Sequence, residues 1–335
     1  MTNWQEFYQA LPKQSPDQSA TNWVCWLEHQ AIYRVSGDDA AKFLHSQLSN
    51  DVERLALGEV RRAAYCSAKG RMLASLIYWR EQDDVLVQCH ASLADALIKR
   101  LSMFVLRAKV KFERVTDHVL LGFSGAASEA LLSAHFAELP GLNQVCTNSA
   151  GTLMRLADSA AAPRYACLLT QELAQQLLPA FAQQLSLCQA SRWELSDIQA
   201  GIAEVSAATQ DHFVPQMINF ELIGGVNFKK GCYPGQEVVA RSQYLGKLKR
   251  RMFIAKTSAA TSAEFTAGAA IYNTAEPEQA CGELVALQIA DAQNAYALLQ
   301  IRLLDHEANQ LRLGSAQGPA LELLELPYAI SDITA

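Results

Sequence analysis

The stretch NFKKGCYPGQEVVARSQYLGKLKRR, residues 227–251, is the most informative part of this 335-residue chain. Within it, Gly231 and Gly235 bracket the tripeptide Cys232-Tyr233-Pro234. Glycine tolerates positive φ and proline fixes φ, so these five residues predict a tight, irregular backbone. Residues 237–241 then suit a short helix, which places the cysteine just ahead of a helix N-terminus.

Basic side chains are concentrated in the same stretch. The whole chain has 28 basic and 34 acidic residues and a net charge of −6. Between positions 229 and 251 there is one acid, and there are seven bases: Lys229, Lys230, Arg241, Lys247, Lys249, Arg250 and Arg251. The segment therefore carries +6 and the rest of the chain −12. An anionic partner such as a carboxylate, a phosphate or an RNA backbone would fit this segment, and so would a solvated basic face paired with acids of the fold.

Cys232 is the candidate reactive group of this stretch. Nearby positive charge and a helix N-terminus both favour a thiolate, so the sulfur could be nucleophilic, redox-active or a metal ligand. The alternative is a turn whose cysteine packs as a small hydrophobe. The eight cysteines are at least 21 residues apart, so the C-x-x-C spacing of zinc and redox sites is absent. We expect reduced cysteines and no disulfide framework.

Length and composition bound the class of protein. Half of the residues are hydrophobic and 19% are charged, which is typical of globular proteins. The length predicts two or three domains. Uninterrupted apolar stretches stay well short of the twenty residues that a membrane-spanning helix needs. The first ten residues are polar and show no signal-peptide pattern, so we expect a cytoplasmic protein without a membrane partner.

Hydrophobic patterns predict an α/β first half and a β-rich end. Apolar residues at helical spacing predict a helix over 40–48, and residues 63–66 and 72–78 predict a strand pair joined by a turn at 67–71. We expect Ser92 to cap the next helix, and Ser191 and Glu194 to form a capping box farther along. From residue 251 onward, short apolar runs between turn residues predict a small all-β unit.

Three motifs resemble one known family. The run KGCYPGQE at 230–237 resembles the K-G-C-[aromatic]-x-G-Q-E signature of the YgfZ-type folate-binding proteins, relatives of the glycine-cleavage T-protein, a tetrahydrofolate-dependent aminomethyltransferase. FLHSQLSNDV at 43–52 is similar to the family's F-L-x-x-Q-x-x-x-D-V helix, and YCSAKGR at 65–71 to its C-D-x-K-G-R hairpin. The resemblance covers residues 23–251.

The resemblance implies an α+β fold, a T-protein-like multidomain ring with a C-terminal all-β barrel. The expected pieces are an N-terminal α/β domain at 20–115, a second α/β domain at 116–190, a folate- and cysteine-motif segment at 191–250 that returns to the first domain, and the barrel at 251–330. It also implies tetrahydrofolate, or a folate derivative, bound in the centre. The implied partners are folate, iron–sulfur enzymes or their assembly proteins, and tRNA indirectly, through its modification by methylthiolation.

The family's functional positions map onto this chain as follows. The reactive group is Cys232, with Lys230, Gln236 and Glu237 beside it. The expected folate-binding residues are Trp193, Gln199, Trp26, Tyr233 and Arg241, and we expect no metal ligands. Trp193 matches a tryptophan that lines the family's folate site. The second such tryptophan aligns with Gln30, four residues after Trp26, and the family commonly has Glu where this chain has Gln199.

One feature argues against plain aminomethyl transfer. T-proteins carry an Asp after the hairpin glycine, whereas residues 71–76 (RMLASL) contain no acid to handle the proton. We therefore expect no glycine-cleavage activity.

Three functions follow from the sequence. The leading hypothesis is a folate-binding accessory protein of iron–sulfur enzymes and tRNA modification that uses Cys232. The alternatives are a one-carbon transferase with an unknown acceptor, and an RNA-binding module that uses the basic run from Lys247 to Arg251.

Overall fold

The computed structural model describes residues 3–12, 20–159, 162–245, 248–306 and 310–330. The helices are α1 Trp4–Ala10, α2 Ala40–Gln47, α3 Ala91–Val105, α4 Ala126–Ser133, α5 Gln171–Phe181, α6 Ser191–Gln199, α7 Gln236–Tyr244 and α8 Ala259–Ser262. The strands of the first half are β1 Trp23–Trp26, β2 Gln30–Ser36, β3 Val60–Cys66, β4 Met72–Glu81, β5 Asp84–His90, β6 Lys111–Arg114, β7 His118–Ser124 and β8 Gln144–Asn148. The later strands are β9 Gly151–Ser159, β10 Ala162–Thr170, β11 Ser186–Cys188, β12 Arg250–Ser258, β13 Ala270–Asn273, β14 Ala280–Ile289, β15 Asn294–Arg302, β16 Leu311–Leu313 and β17 Glu322–Leu324.

The first sheet contains the predicted strand pair. Its five strands lie in the order β3-β4-β5-β2-β6 and pair antiparallel throughout. Strands β3 and β4 form the expected hairpin, and α2 occupies the expected helix, so both predictions are confirmed. Phe43 and Leu44 of α2 and Leu97 of α3 are buried in the core of this sheet, because their helical spacing places them on inward-facing stripes.

The second sheet has six strands in the order β11-β1-β7-β10-β9-β8. Its β1–β11 pair is parallel, and its other pairs are antiparallel. Leu132 of α4 and Leu178 of α5 are buried in one core with Phe123 of β7. Strand β1 thus joins the second sheet, although it precedes the first sheet in sequence. The domain boundaries given in the sequence analysis stay predictions.

The third sheet confirms the predicted all-β C-terminus. Six antiparallel strands in the order β16-β13-β14-β15-β12-β17 form a curled half-barrel. Its own core includes Phe253, Ile271 and Leu299, each at most 4% exposed. Among the described helices, none has the length and apolar composition that crossing a membrane requires.

Helix α6 joins the three sheets. Trp193 is buried in a core cluster with Trp23 of the second sheet, whereas Ile198 belongs to the core of the first sheet. Helix α6 also lies against β14 and β15 of the third sheet. The predicted side-chain caps are wrong in detail. Ser191 is the first helical residue after an Ala190 cap, and α3 is capped by the His90 ring, which accepts a hydrogen bond from the backbone N–H of Ser92.

Candidate functional site

A small polar cavity lies where α6 meets the first two sheets. Its volume is about 30 Å³, room for a water molecule. The side chains that give it chemistry are Gln30, Arg62, Gln88, Trp193, Asp197 and Glu204. They come from strands β2, β3 and β5, from α6 and from the loop that follows α6. The cavity therefore combines residues that are distant in sequence.

Glu204 is the central acid of this cavity. The Gln30 amide donates from Nε2 to both Glu204 carboxylate oxygens, each at 2.9 Å. Gln88 Nε2 donates in turn to Gln30 Oε1 at 3.0 Å. Burial raises the pKa of Glu204 to about 8; the Gln30 hydrogen bond and Arg62 oppose the rise, and Asp197 and Glu194 add to it. Sequence reasoning missed this acid because no local motif marks it.

Trp193 forms one wall of the cavity and is only 3% exposed. The Arg164 guanidinium carbon lies 5.0 Å from the centre of its ring, and Trp23 packs edge-on at 6.2 Å. Gly122 makes room for the indole, since a Cβ there would lie 2.4 Å from a ring carbon. Trp193 is thus a rigidly held aromatic wall of the cavity.

The cavity adjoins a larger pocket on one side and a basic groove on the other. The pocket, about 280 Å³, shares Asp197 and Glu204 with the cavity and is also lined by Glu194. The groove, about 490 Å³, shares Arg62 with the cavity, and its other charged lining residues are Arg54, Arg61, Asp51 and Glu59. The adjoining pocket is therefore acidic, whereas in the groove three arginines face two acids.

The cysteine motif lies at the turn between β3 and β4. Cys232 is exposed, and the described cysteines form no disulfide. Gly235 has φ +78°, and a Cβ on it would lie 2.3 Å from the Ser67 carbonyl oxygen and 2.7 Å from Gly70. A Cβ on Gly70, at φ +72°, would lie 2.8 Å from the Val238 Cβ of α7. Two of the family-like motifs thus dock on each other through paired glycines.

This turn is separated from the cavity by part of β4. Ser75 of β4 lines the cavity, and Gly70 lies in the turn that begins the strand. Five residues of extended strand span roughly 16 Å. Cys232 does not line the cavity, so the described structure holds two separate candidate centres.

Lys230 anchors the cysteine loop to the C-terminal end of α2. It is 9% exposed, and its Nζ donates to the carbonyls of His45 and Leu48, the latter at 2.6 Å. These carbonyls lie at the C-terminal end of α2, where a cation is favoured. Nζ also lies 4.9 Å from the centre of the Tyr233 ring. Burial lowers the pKa of Lys230 to about 8, against the opposing effect of Asp51.

His45 lies beside the same loop, and sequence reasoning missed it. Its Nδ1 is 3.1 Å from Asp51 Oδ1, and its Nε2 faces Gly231, 3.6 Å from the position of a Cβ there. His45 and Asp51 both belong to the motif at 43–52. The loop that carries Cys232 is thus bordered by a lysine and by a histidine–carboxylate pair.

The other predicted site residues are spread over several places. Gln236, Glu237 and Arg241 lie on α7, where Glu237 and Arg241 are exposed and form no ion pair with each other in the described structure. Trp26 packs against Trp4 and Tyr8 at the far side of the second sheet.

Gln199, at the end of α6, accepts a hydrogen bond from Ser159 Oγ and does not line the cavity. Of the predicted folate residues, the structure brings Trp193 to the cavity and leaves Gln199, Trp26, Tyr233 and Arg241 outside its lining.

The basic run proposed for RNA is only partly on the surface. Lys247 lies outside the described residues, and Lys249 is exposed. Arg250 donates to the Cys281 carbonyl at 3.3 Å. Arg251 is 1% exposed and pairs with Glu221. The prediction that Arg251 belongs to an RNA-binding surface is therefore wrong, because its charge is neutralised inside the fold.

Comparison with known proteins agrees with the motifs. Residues 24–145 match the family model of the GCVT N-terminal domain. The tRNA-modifying protein YgfZ of Photobacterium profundum is 30% identical over 309 residues, which cover 91% of each chain. The chain belongs to the YgfZ family. This YgfZ-family chain also resembles the glycine cleavage system aminomethyltransferase T from Bartonella henselae, with a TM-score of 0.75 at 17% identity over 98% of this chain and 90% of the other. The predicted T-protein-like fold is confirmed.

Proposed function

We propose that this YgfZ-family chain is a tetrahydrofolate-binding accessory protein of tRNA modification, which supports iron–sulfur enzymes through Cys232. The exposed sulfur on a loop fixed by Lys230 and Gly235 is the observation that carries the proposal. A thiol that is to act on another protein has to be accessible, and its loop has to keep its shape when the partner arrives. The name of the relative, a tRNA-modifying protein, supports the same role.

The cavity region has the chemistry to hold a reduced pterin. A pterin is flat and presents amino and ring N–H donors along one edge. The Asp197 carboxylate can accept these hydrogen bonds, Glu204 can accept through one oxygen when protonated and through both when ionised, and the Trp193 indole gives an aromatic wall. The cavity and the adjoining pocket together reach the lower end of the usual volume of ligand sites.

Arg62 completes the donor set of the folate site. Its guanidinium lies between the cavity and the basic groove, where it can pair with the carboxylates of a glutamate tail. When bound, a one-carbon derivative of tetrahydrofolate would supply the one-carbon unit that it carries. The residues of this chain bind and orient the pterin, and the buried aromatic wall excludes water from one of its faces.

Cys232 acts at a different place from the folate. Its thiolate can attack a disulfide of a client, which forms a mixed disulfide and releases the client's other sulfur as a thiolate, or it can ligate a metal that the client carries. Lys230 orients the loop from the buried side, while Glu237 and Arg241 on α7 are free to contact the client's surface.

A genetic test addresses the role of the cysteine. In a strain without this protein, methylthiolated nucleosides of total tRNA are measured by mass spectrometry after complementation. We expect the natural chain and Cys146→Ala to restore them, and Cys232→Ala to fail although it folds normally. Cys146 is the matched control, since it is the other cysteine that is not fully buried. Full restoration by Cys232→Ala would overturn the proposed role of the sulfur.

A titration with 5-formyltetrahydrofolate tests the folate site. We expect binding by the natural chain and unchanged affinity in Cys232→Ala, because the sulfur lies outside the cavity. Turnover of a one-carbon unit with the same protein would favour the transferase alternative instead.

A further inference from the structure

Gln30 occupies the carboxyl group that the proposed pterin site needs. Its amide donates to both oxygens of Glu204, the acid best placed to recognise a pterin. The space left beside this pair is about 30 Å³, far less than a bicyclic ring needs. A ligand that reaches the Glu204 carboxylate in the cavity therefore has to replace the hydrogen bonds that Gln30 now makes.

The Gln30 amide is chemically similar to the edge of the proposed ligand. A primary amide N–H and the amino-amide edge of a pterin both donate to a carboxylate. Gln30 is held in place by Gln88, whose Nε2 donates to Gln30 Oε1 at 3.0 Å. The Gln88 Oε1 atom is buried and accepts no hydrogen bond among the described residues. Gln88, Gln30 and Glu204 thus form a chain of hydrogen bonds that closes the cavity.

We propose that Gln30 is an internal competitor for Glu204, displaced when the amino-amide edge of a pterin binds. This inference rests on the proposed function, and it makes Gln30 the residue that sets folate affinity. The adjoining pocket shares Glu204 with the cavity, so a ligand can approach the carboxylate from that side while the Gln30 side chain withdraws.

The surroundings explain why Glu204 needs one partner or the other. Burial disfavours its charged form, and the acids Asp197 and Glu194 add repulsion. Arg62 is the basic group that stabilises the charge, and His90 lines the adjoining pocket. A carboxylate in such a place is costly without hydrogen bonds, so exchanging the Gln30 donor for ligand donors keeps it satisfied throughout.

Calorimetric titration with 5-formyltetrahydrofolate at about pH 9, where the Glu204 carboxylate is ionised, tests the competition. Gln30→Ala removes the competing amide, and we expect its Kd to fall about tenfold, equivalent to one hydrogen bond to a charged group. Gln30→Leu keeps most of the volume but cannot donate, so we expect a smaller gain of about threefold. Gln293→Ala is the matched control, since Gln293 is exposed, lies outside the lining of both the cavity and the adjoining pocket, and should leave the Kd unchanged.

A second measurement follows the displacement directly. The side-chain amide resonance of Gln30, assigned by its absence in Gln30→Ala, should change position and exchange faster with water once ligand is bound. An unchanged resonance at saturation would contradict the proposal, and so would a Kd for Gln30→Ala equal to or above that of the natural chain. Absence of binding by the natural chain and both Gln30 variants would instead refute the folate site itself.

Discussion

Replacing Glu204 by glutamine should change how stability depends on pH. The pKa of Glu204 is raised from 4.5 to about 8. The folded protein therefore keeps this proton up to about pH 8, whereas the unfolded chain releases it near pH 4.5. The free energy of unfolding of the natural chain consequently falls as the pH rises through this window. Glutamine does not titrate and retains an acceptor for Gln30, so Glu204→Gln should lack the fall.

The size of the effect follows from the shift. A displacement of about 3.5 pKa units corresponds to about 5 kcal/mol at full burial. Glu204 keeps some contact with the adjoining pocket, and solvent there screens its charge, so we expect about half of this. Glu204→Gln should match the natural chain near pH 4.5 and exceed its stability by about 2 to 3 kcal/mol at pH 8.5.

Urea unfolding at a series of pH values measures this difference. Glu264→Gln, a substitution at an exposed loop position, is the matched control and should follow the natural chain at every pH. Parallel profiles for the natural chain and Glu204→Gln would refute the reasoning, because they would mean that Glu204 titrates alike in the folded and unfolded states.

Three further predictions concern the cysteine loop. In thermal unfolding, Gly235→Ala should lower the stability by at least about 2 kcal/mol and the control Gly224→Ala by about 1 kcal/mol. Both glycines have φ near +78°, but only at Gly235 would a Cβ strike a neighbour. Equal losses would contradict the docking of the two motifs. Lys230→Met should lower the free energy of unfolding in chemical denaturation by about 2 to 3 kcal/mol, because it leaves two carbonyls at the end of α2 unpaired. Lys229→Met, at an exposed site, should leave it nearly unchanged. Similar losses in the two variants would argue against the anchoring role of Lys230. In the native protein a maleimide should modify Cys232 first, as seen by peptide mass spectrometry, and a buried cysteine that reacts faster would contradict its exposure.

The parts of the fold that local patterns encode could be predicted from the sequence. Helix α2 and the hairpin of β3 and β4 follow from apolar spacing within one segment. The predicted N-caps at Ser92 and Ser191 are wrong, because α3 and α6 begin earlier in the chain. Their N-cap residues are His90 and Ala190. The preference of serine for the N-cap position is outweighed there by the backbone path that leads into each helix.

The cavity could not be predicted in the same way. Gln30 and Glu204 are 174 residues apart in sequence, and only the packing of α6 between the sheets brings them together. A family-based expectation placed the ligand contacts at Trp26 and Gln199, which the fold uses for packing on α1 and for a hydrogen bond with Ser159. The cysteine motif was easier, since its glycines and its sulfur are neighbours in the chain.

Strand β4 makes the two centres separable by mutation. The part of β4 that pairs with β3 separates Ser75 at the cavity from the turn at Gly70. The side chains of the cavity and those of the cysteine loop therefore share no hydrogen-bond partner among the described residues. Substitutions at Gln30 and Cys232 should therefore show additive effects on stability. Over evolutionary time, such a chain can retune or even abandon its ligand chamber while its sulfur-bearing loop continues under selection unchanged.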